Sequence, residues 1–378
     1  MQFSLTEEQQ FIVDSAARFT ADKISPFAAQ WDETHTLPRT VLREAAELGF
    51  GAIYVSEASG GIGIGRLEAA LIMEEMAYGC PSTAAFVSIH NMACKMIDSY
   101  ATEDVKNAYL PHLITMDMLA SYCLTEPGAG SDAASLKTSA KRQGDHYIVN
   151  GSKAFISGAG ESEVYLVMCR TGDDGPKGIS CLLIDKHADG VSFGAQEKKL
   201  GWHSQPTAQV NFDNVKVPAS HRLGNEGQGF SIAMEGLDGG RLNIAACSIG
   251  GARRCIDEAV QYTTDRTQFS SRIIDFQNTQ FTLADMTTEL HAAKALLHQA
   301  CEKVTHNAPD KTYFAAMAKR FATDTGSSIA DRALQLFGGY GYLMDYPIER
   351  FWRDLRVHSI LEGTNQIMRM IVARELMK

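Results

Sequence analysis

No apolar run in this chain reaches the ~18 residues needed to cross a bilayer, and no Lys/Arg-dense stretch relieves an excess of 45 Asp+Glu over 35 Lys+Arg. A formal charge of −10 repels phosphate backbones and anionic lipid, so neither nucleic acid nor a membrane is an expected partner. A polyanionic small molecule stays admissible, since a few local cations hold such a ligand against the global field. Cysteine pairs are also missing: Cys80, Cys94, Cys123, Cys169, Cys181, Cys247, Cys255 and Cys301 include no C-x-x-C, and none stands at metal-ligand spacing with a histidine. They read as reduced, mostly buried thiols, and no metal is expected. The start, Met1-Gln2-Phe3-Ser4-Leu5-Thr6-Glu7-Glu8, shows neither a basic segment with an apolar core nor an Arg-rich transit pattern, which sets the expectation at a cytoplasmic chain without a targeting sequence.

Familiar nucleotide and metal signatures fail as well. Gly60-Gly61-Ile62-Gly63-Ile64-Gly65 is followed by Arg66 where G-x-G-x-x-G needs glycine, and no strand precedes it. Gly151-Ser152-Lys153 puts Ser where a phosphate-binding P-loop needs Gly-Lys, and H-E-x-x-H does not occur.

What is present is a change of periodicity along 378 residues, a length that suits two or three packed units. Residues 1–115 read as an N-terminal α-helical domain, opened by a capping box at Thr6 and Gln9, with helices near 39–48, 66–79, 82–100 and 103–112. Residues 116–220 turn to short β-rich runs, Val164–Cys169, Ile179–Ile184 and Gln209–Val217, punctuated by Asn150-Gly151, Asp189-Gly190 and Asp213-Asn214, which predicts a middle antiparallel β-domain. Residues 221–378 return to helix, as a C-terminal domain of four-helix-bundle type. There Leu283, Met286, Leu290, Ala293, Leu297, Ala300 and Val304 form one seam, Leu242, Ala245, Ile249, Ala252, Ile256 and Val260 a second, and a helix from Phe314 to Leu336 ends at Gly338-Gly339. The fold class is α+β.

Four segments carry polar chemistry. Tyr122-Cys123-Leu124-Thr125-Glu126-Pro127-Gly128-Ala129-Gly130-Ser131-Asp132 joins a strand to a glycine-rich turn whose bare N–H groups and hydroxyls suit a flat polar ring or an anion; equally it is an ordinary surface loop. Ser359-Ile360-Leu361-Glu362-Gly363-Thr364-Asn365-Gln366-Ile367 sets a lone carboxylate behind an apolar stretch and before the final helix, as a desolvated base or as a capping carboxylate. Arg266, Phe269, Phe276 and Gln277 form the third, and Gln335-Leu336-Phe337-Gly338-Gly339-Tyr340-Gly341-Tyr342 the fourth. A guanidinium and bare glycines suit a pyrophosphate; a surface ion pair and a helix C-cap explain them as well.

Taken together and in this order, these segments resemble the acyl-CoA dehydrogenase family over nearly the whole chain. Phe155-Ile156-Ser157-Gly158-Ala159-Gly160-Glu161-Ser162, Lys177-Gly178-Ile179-Ser180-Cys181, Gly239-Gly240-Arg241 and Gly338-Gly339-Tyr340-Gly341-Tyr342-Leu343 are nearest in wording to its isobutyryl-CoA branch. The resemblance implies FAD held by Tyr122, Cys123, Leu124, Thr125, Gly130 and Ser131, with Ser131 also near the substrate, and by Phe155, Ile156 and Ser157. Many relatives have Trp at the place of Phe155. It further implies that Arg266, Phe276, Gln277, Gln335, Leu336, Phe337, Gly338, Gly339, Thr364, Asn365 and Gln366 serve the pyrophosphate and adenosine, partly across a subunit boundary in a homotetramer, a dimer of dimers. Asp238, Gly239, Gly240, Arg241, Glu362, Gly363 and Arg374 match acyl-CoA contacts, although Arg241 also reads as a helix-surface charge.

Glu362 matches the base of most of the family. Isovaleryl- and long-chain relatives carry theirs just before the Arg equivalent to Arg241, where this chain has Gly240. The implied reaction is α,β-dehydrogenation of a short acyl-CoA, α-methyl-branched as in isobutyryl-CoA, with electrons passed to an electron-transfer flavoprotein. Short straight-chain and 2-methylbutyryl thioesters remain alternatives, as do an oxidase that uses oxygen and a noncatalytic acyl-CoA-binding protein of the same fold. Leu361 precedes the base where many straight-chain relatives have Tyr, which implies room for an α-methyl group. Water exclusion would raise the Glu362 carboxyl toward the working pH.

Overall fold

The computed structural model describes residues 4–378; Met1, Gln2 and Phe3, the opening of the N-terminal pattern read above, lie outside the described residues. Helices come first: α1 Glu7–Phe19, α2 Ala28–Thr34, α3 Arg39–Glu47, α4 Arg66–Gly79, α5 Pro81–Tyr100 and α6 Glu103–Ile114. The expected capping box starts α1, with Thr6 Oγ1 accepting from the Gln9 N–H and Gln9 Oε1 accepting from the Thr6 N–H, both at 3.1 Å. α4 and α5 are buried on nearly every side, which explains why they carry so little polar alternation.

The middle region holds β1 Ala120–Cys123, β2 Ser139–Gln143, β3 His146–Ser157, β4 Val164–Arg170, β5 Ile179–Asp185, β6 Val191–Phe193, β7 Thr207–Pro218 and β8 Arg222–Leu223. Their order in the sheet is β6-β7-β3-β2-β4-β5-β8, with β1 against β4. The sheet is mixed rather than wholly antiparallel. β1 runs parallel to β4 from Ala120 opposite Val164 to Cys123 opposite Val167. Asn150-Gly151 is no turn. It lies within β3 at a register shift against β7, where Gly151 has φ +147° and a Cβ would meet Thr138 Oγ1 at 2.5 Å.

The second helical region comprises α7 Gly229–Asp265, the short hairpin β9 Thr267–Gln268 and β10 Ser271–Arg272, then α8 Gln277–Thr305, α9 Lys311–Leu336, α10 Ile348–Arg356 and α11 Asn365–Leu376. Both seams are buried where the sequence puts them, except that Val304 is half-buried at the end of α8 and Val260 is 38% exposed on the last turns of α7. One continuous core includes Ile72 and Met73 of α4, Leu242 and Ile249 of α7, and Leu290 of α8, so the two helical regions share their interior. A second core links α5 and α6 to β1, β4 and β5, and a third fills the sheet. All eight cysteines are buried and unpaired.

Candidate active site

Glu362 sits between α10 and α11 with φ +55°, followed by Gly363 at +84°. A left-handed conformation at a carboxylate residue is uncommon and costs about 1 kcal/mol. Thr364, and not Glu362, caps α11, accepting from the Ile367 N–H at 3.2 Å, so the capping alternative is excluded. Lys319, fully buried on α9, anchors the turn by donating to the Gly363 carbonyl at 2.8 Å and to Asn365 Oδ1 at 2.9 Å.

The turn aims the Glu362 carboxylate at α7, where Gly240 offers no side chain: a Cβ there would lie 2.6 Å from Oε2. The residue keeps some accessible surface, but Oε2 itself is sealed and has no partner. Burial pushes the carboxyl up to about 7, while the charges of Arg241 and Lys319 pull it back. Arg241 is 4% exposed and donates to Asp238 Oδ1 at 2.7 Å; Asp238 Oδ2 accepts from Thr312 Oγ1 at 2.7 Å. The surface-charge alternative for Arg241 therefore falls. Gly239, beside them, is covered by Arg66, whose Nη1 would lie 2.4 Å from a Cβ and whose guanidinium rests 4.0 Å over the Tyr54 ring.

Tyr122 comes to the same place from β1. Its hydroxyl is sealed without a partner, burial pushes the phenol up, and Glu362 and Arg241 both act on it through their charge. The loop beyond is pinned from inside: Glu126 accepts from the Lys137 and Thr138 N–H groups at 2.7 and 2.9 Å and from fully buried Lys153 at 2.8 Å. Gly128 and Gly130 face open space, and Ser131 is exposed. Cys123 points into the sheet interior, Leu124 is 8% exposed, and Thr125 accepts from the Ala154 N–H through its carbonyl. Phe155, at the end of β3, has φ +56° and is 67% exposed, flanked by buried Ile156 and half-buried Ser157. An aromatic held outward by a strained backbone marks a surface that awaits a partner.

A separate cavity of about 420 Å³ gathers Arg266 with Gln335, Leu336, Phe337, Gly338 and Gly339, together with Tyr262, Gln268, Ile273, Tyr340 and Leu343. The guanidinium of Arg266 lies 5.6 Å from the Tyr340 ring centre, and nothing stands within 4 Å of a Cβ on either Gly338 or Gly339. Phe276 and Gln277 are exposed at the start of α8, outside this lining. Asn365 is 3% exposed, and its side chain is committed within the chain, to Asp324 Oδ1 at 2.6 Å, Thr323 Oγ1 at 2.9 Å and Lys319. Gln366 is exposed, and Arg374 is exposed on the last turn of α11, away from the turn that carries Glu362. Sequence reasoning gave no role to Lys319 or Arg66; neither stands in a motif that marks it.

Three family models match the chain in order: acyl-CoA dehydrogenase N-terminal domain over residues 6–117, middle domain over 121–215 and C-terminal domain over 227–377. The chain belongs to the acyl-CoA dehydrogenase family. It is 54% identical over 375 residues to the mitochondrial isobutyryl-CoA dehydrogenase of Dictyostelium discoideum and 50% over 374 residues to that of Bos taurus, in each case across 99% of this chain and 90% of the relative. Among solved structures, a chain from work on the electron transferring flavoprotein of Acidaminococcus fermentans superposes with a TM-score of 0.97 at 39% identity, covering all of both chains. Acyl-CoA dehydrogenases are FAD-dependent. No described helix is long and apolar enough to cross a membrane.

Proposed function

We propose that the chain is an FAD-dependent dehydrogenase of short, α-methyl-branched acyl-CoA thioesters, isobutyryl-CoA foremost, with Glu362 as the base that removes the α-proton. One observation carries the mechanism: a carboxylate whose sealed Oε2 has no partner, held near neutral pKa over the bare backbone of Gly240. A base in that state accepts a proton readily at working pH and has no internal hydrogen bond to break first.

The residues present fit FAD. Phe155 presents an aromatic face, Gly128 and Gly130 leave the loop backbone open, and Arg266 with bare Gly338 and Gly339 lines a cavity suited to a pyrophosphate. Tyr122, Thr125, Gly130, Ser131, Phe155 and Ser157 would hold the ring, and Arg266 with Gln335 to Gly339 the distal part. When bound, FAD supplies the acceptor for the hydride that leaves the β-carbon. The chain supplies position and charge. The Glu362 N–H, beside its own carboxylate, would polarise the thioester carbonyl. The Asp238–Arg241 pair flanks the pantetheine path, and the Arg241 charge keeps the ionised form of Glu362 attainable despite burial.

Electrons pass onward to an electron-transfer flavoprotein, a reading supported by the structural likeness above. Phe269 at 90% exposure and Tyr342 at 88%, beside the Arg266 cavity, support assembly into a homotetramer whose subunit boundary covers them. The cytoplasmic location stands beside two relatives named as mitochondrial, and cell fractionation separates the two. The test of the function is anaerobic flavin reduction by isobutyryl-, 2-methylbutyryl-, butyryl- and octanoyl-CoA. Isobutyryl-CoA ahead supports the reading, and octanoyl-CoA ahead ends it.

A further inference from the structure

Five apolar side chains stand apart from the three main cores: Trp202, Ile244 and Ala85, with Val357 and Leu361 packed against them. This cluster adjoins the base on two sides. Leu361 is the residue before Glu362, and Ile244 is one helical turn after Gly240 on α7, roughly 6 Å along the axis. Along the same helix the polar pair Asp238 and Arg241 flanks Gly240 toward the N-terminus. An acyl-CoA whose α-carbon lies at Glu362 has its polar pantetheine on the Asp238 side. Its acyl tail then runs toward Ile244 and meets Trp202.

Trp202 is held as a fixed wall. It has φ +55°, a strained conformation for a bulky residue, and is 5% exposed. Its backbone N–H donates to buried Asp354 Oδ1 at 2.6 Å, its ring meets His358 edge to face at 5.5 Å, and its indole Nε1 is sealed without a partner. Gly201, immediately before it, is pressed so closely on α10 that a Cβ would lie 2.7 Å from the Arg353 carbonyl. His358 is itself fixed through Nδ1 and Ser248 Oγ at 2.7 Å. The backbone that carries the indole is therefore fixed to α10, and the ring itself is confined by burial and by the edge of His358.

We infer that Trp202 is the end wall of the acyl pocket and sets the upper limit on acyl length. The inference rests on the acyl-CoA reading above and names a residue that the sequence did not single out. A tail no longer than the Gly240 to Ile244 step fits in front of the indole; an extended octanoyl tail does not.

Trp202→Gly, which suits the left-handed backbone, removes the wall, and Trp202→Phe shortens it. For both variants and wild type, kcat/KM is measured with isobutyryl-CoA and octanoyl-CoA. Binding of the non-reacting thioethers S-isobutyl-CoA and S-octyl-CoA is measured by calorimetry, alongside flavin content. The octanoyl-to-isobutyryl ratio should rise by at least roughly tenfold in Trp202→Gly and less in Trp202→Phe, with S-octyl-CoA tightened in the same order. A ratio and a thioether preference both within about twofold of wild type would overturn the assignment. Should Trp202→Gly not fold, Trp202→Leu is read by the same criteria. Wild type that is reduced by none of these thioesters refutes the acyl-CoA reading, whereas wild type that works with an unmoved ratio refutes only the wall.

Discussion

Glu362 and Gly240 occupy one space from two elements: the carboxylate from the turn before α11 fills the volume that a side chain on α7 would take, 2.6 Å from where its Cβ would be. Family members that carry their base at the place of Gly240 and those that carry it at the place of Glu362 thus deliver a carboxylate to the same point from opposite sides. Gly240→Ala is expected to displace the carboxylate and lower kcat on the order of a hundredfold while flavin content stays full. Steady-state kinetics on purified holoenzyme checks this, and kcat within a few-fold of wild type would show that the turn yields to a methyl group.

The acidity of Glu362 fixes the pH dependence. Burial raises the carboxyl to about 7, so the base is protonated and idle below that value and ionised above it. The kcat/KM for the free enzyme should therefore rise with pH through about 7. The same raised value means that burial of the neutral acid stabilises the fold fully below the unfolded carboxyl range, and that this contribution is lost as pH rises through 7. A pH profile flat from 5.5 to 8 would contradict the assignment of the perturbed group as the base.

Lys319 works through Glu362 without touching the reacting atoms. Its ammonium anchors Gly363 and Asn365 and adds a positive charge that lowers the Glu362 pKa, while burial brings its own down to about 8. Lys319→Met should move the acid limb of the kcat/KM profile to higher pH and reduce stability by about 1–3 kcal/mol, since the Gly363 carbonyl loses its donor. An unshifted limb with lowered stability would leave Lys319 a purely structural residue.

Much of this was legible beforehand, and the reasons for the rest are local. The α8 seam and the capping box at Thr6 are periodic or paired signals, and both appear in the structure. Asn150-Gly151 has the wording of a turn but serves a bulge inside β3, because the long β3–β7 pairing overrides the local preference. Asn365 lies in a segment suited to a ligand, yet its amide is sealed against Asp324 and Thr323. Lys319, Arg66 and Trp202 act through partners more than forty residues away in sequence, a relation that no spacing rule expresses.

Arg266 lies in the cavity with Gln335 to Gly339, beside exposed Phe269 and Tyr340. Arg266→Ala is expected to lose FAD on gel filtration and, with it, part of the oligomer, the two losses moving together. Full flavin content at unchanged oligomer mass would remove Arg266 from the pyrophosphate site.

The central claim is that Glu362 takes the α-proton of a short branched thioester, and anaerobic titration of wild type and Glu362→Gln with isobutyryl-CoA tests it most directly. The amide keeps the shape of the side chain but accepts no proton, so the variant should retain FAD and still bind the thioester. Its flavin should bleach on the order of 10³–10⁴-fold more slowly than that of wild type, which bleaches at once. Bleaching of Glu362→Gln at a rate within a few-fold of wild type would place the base elsewhere.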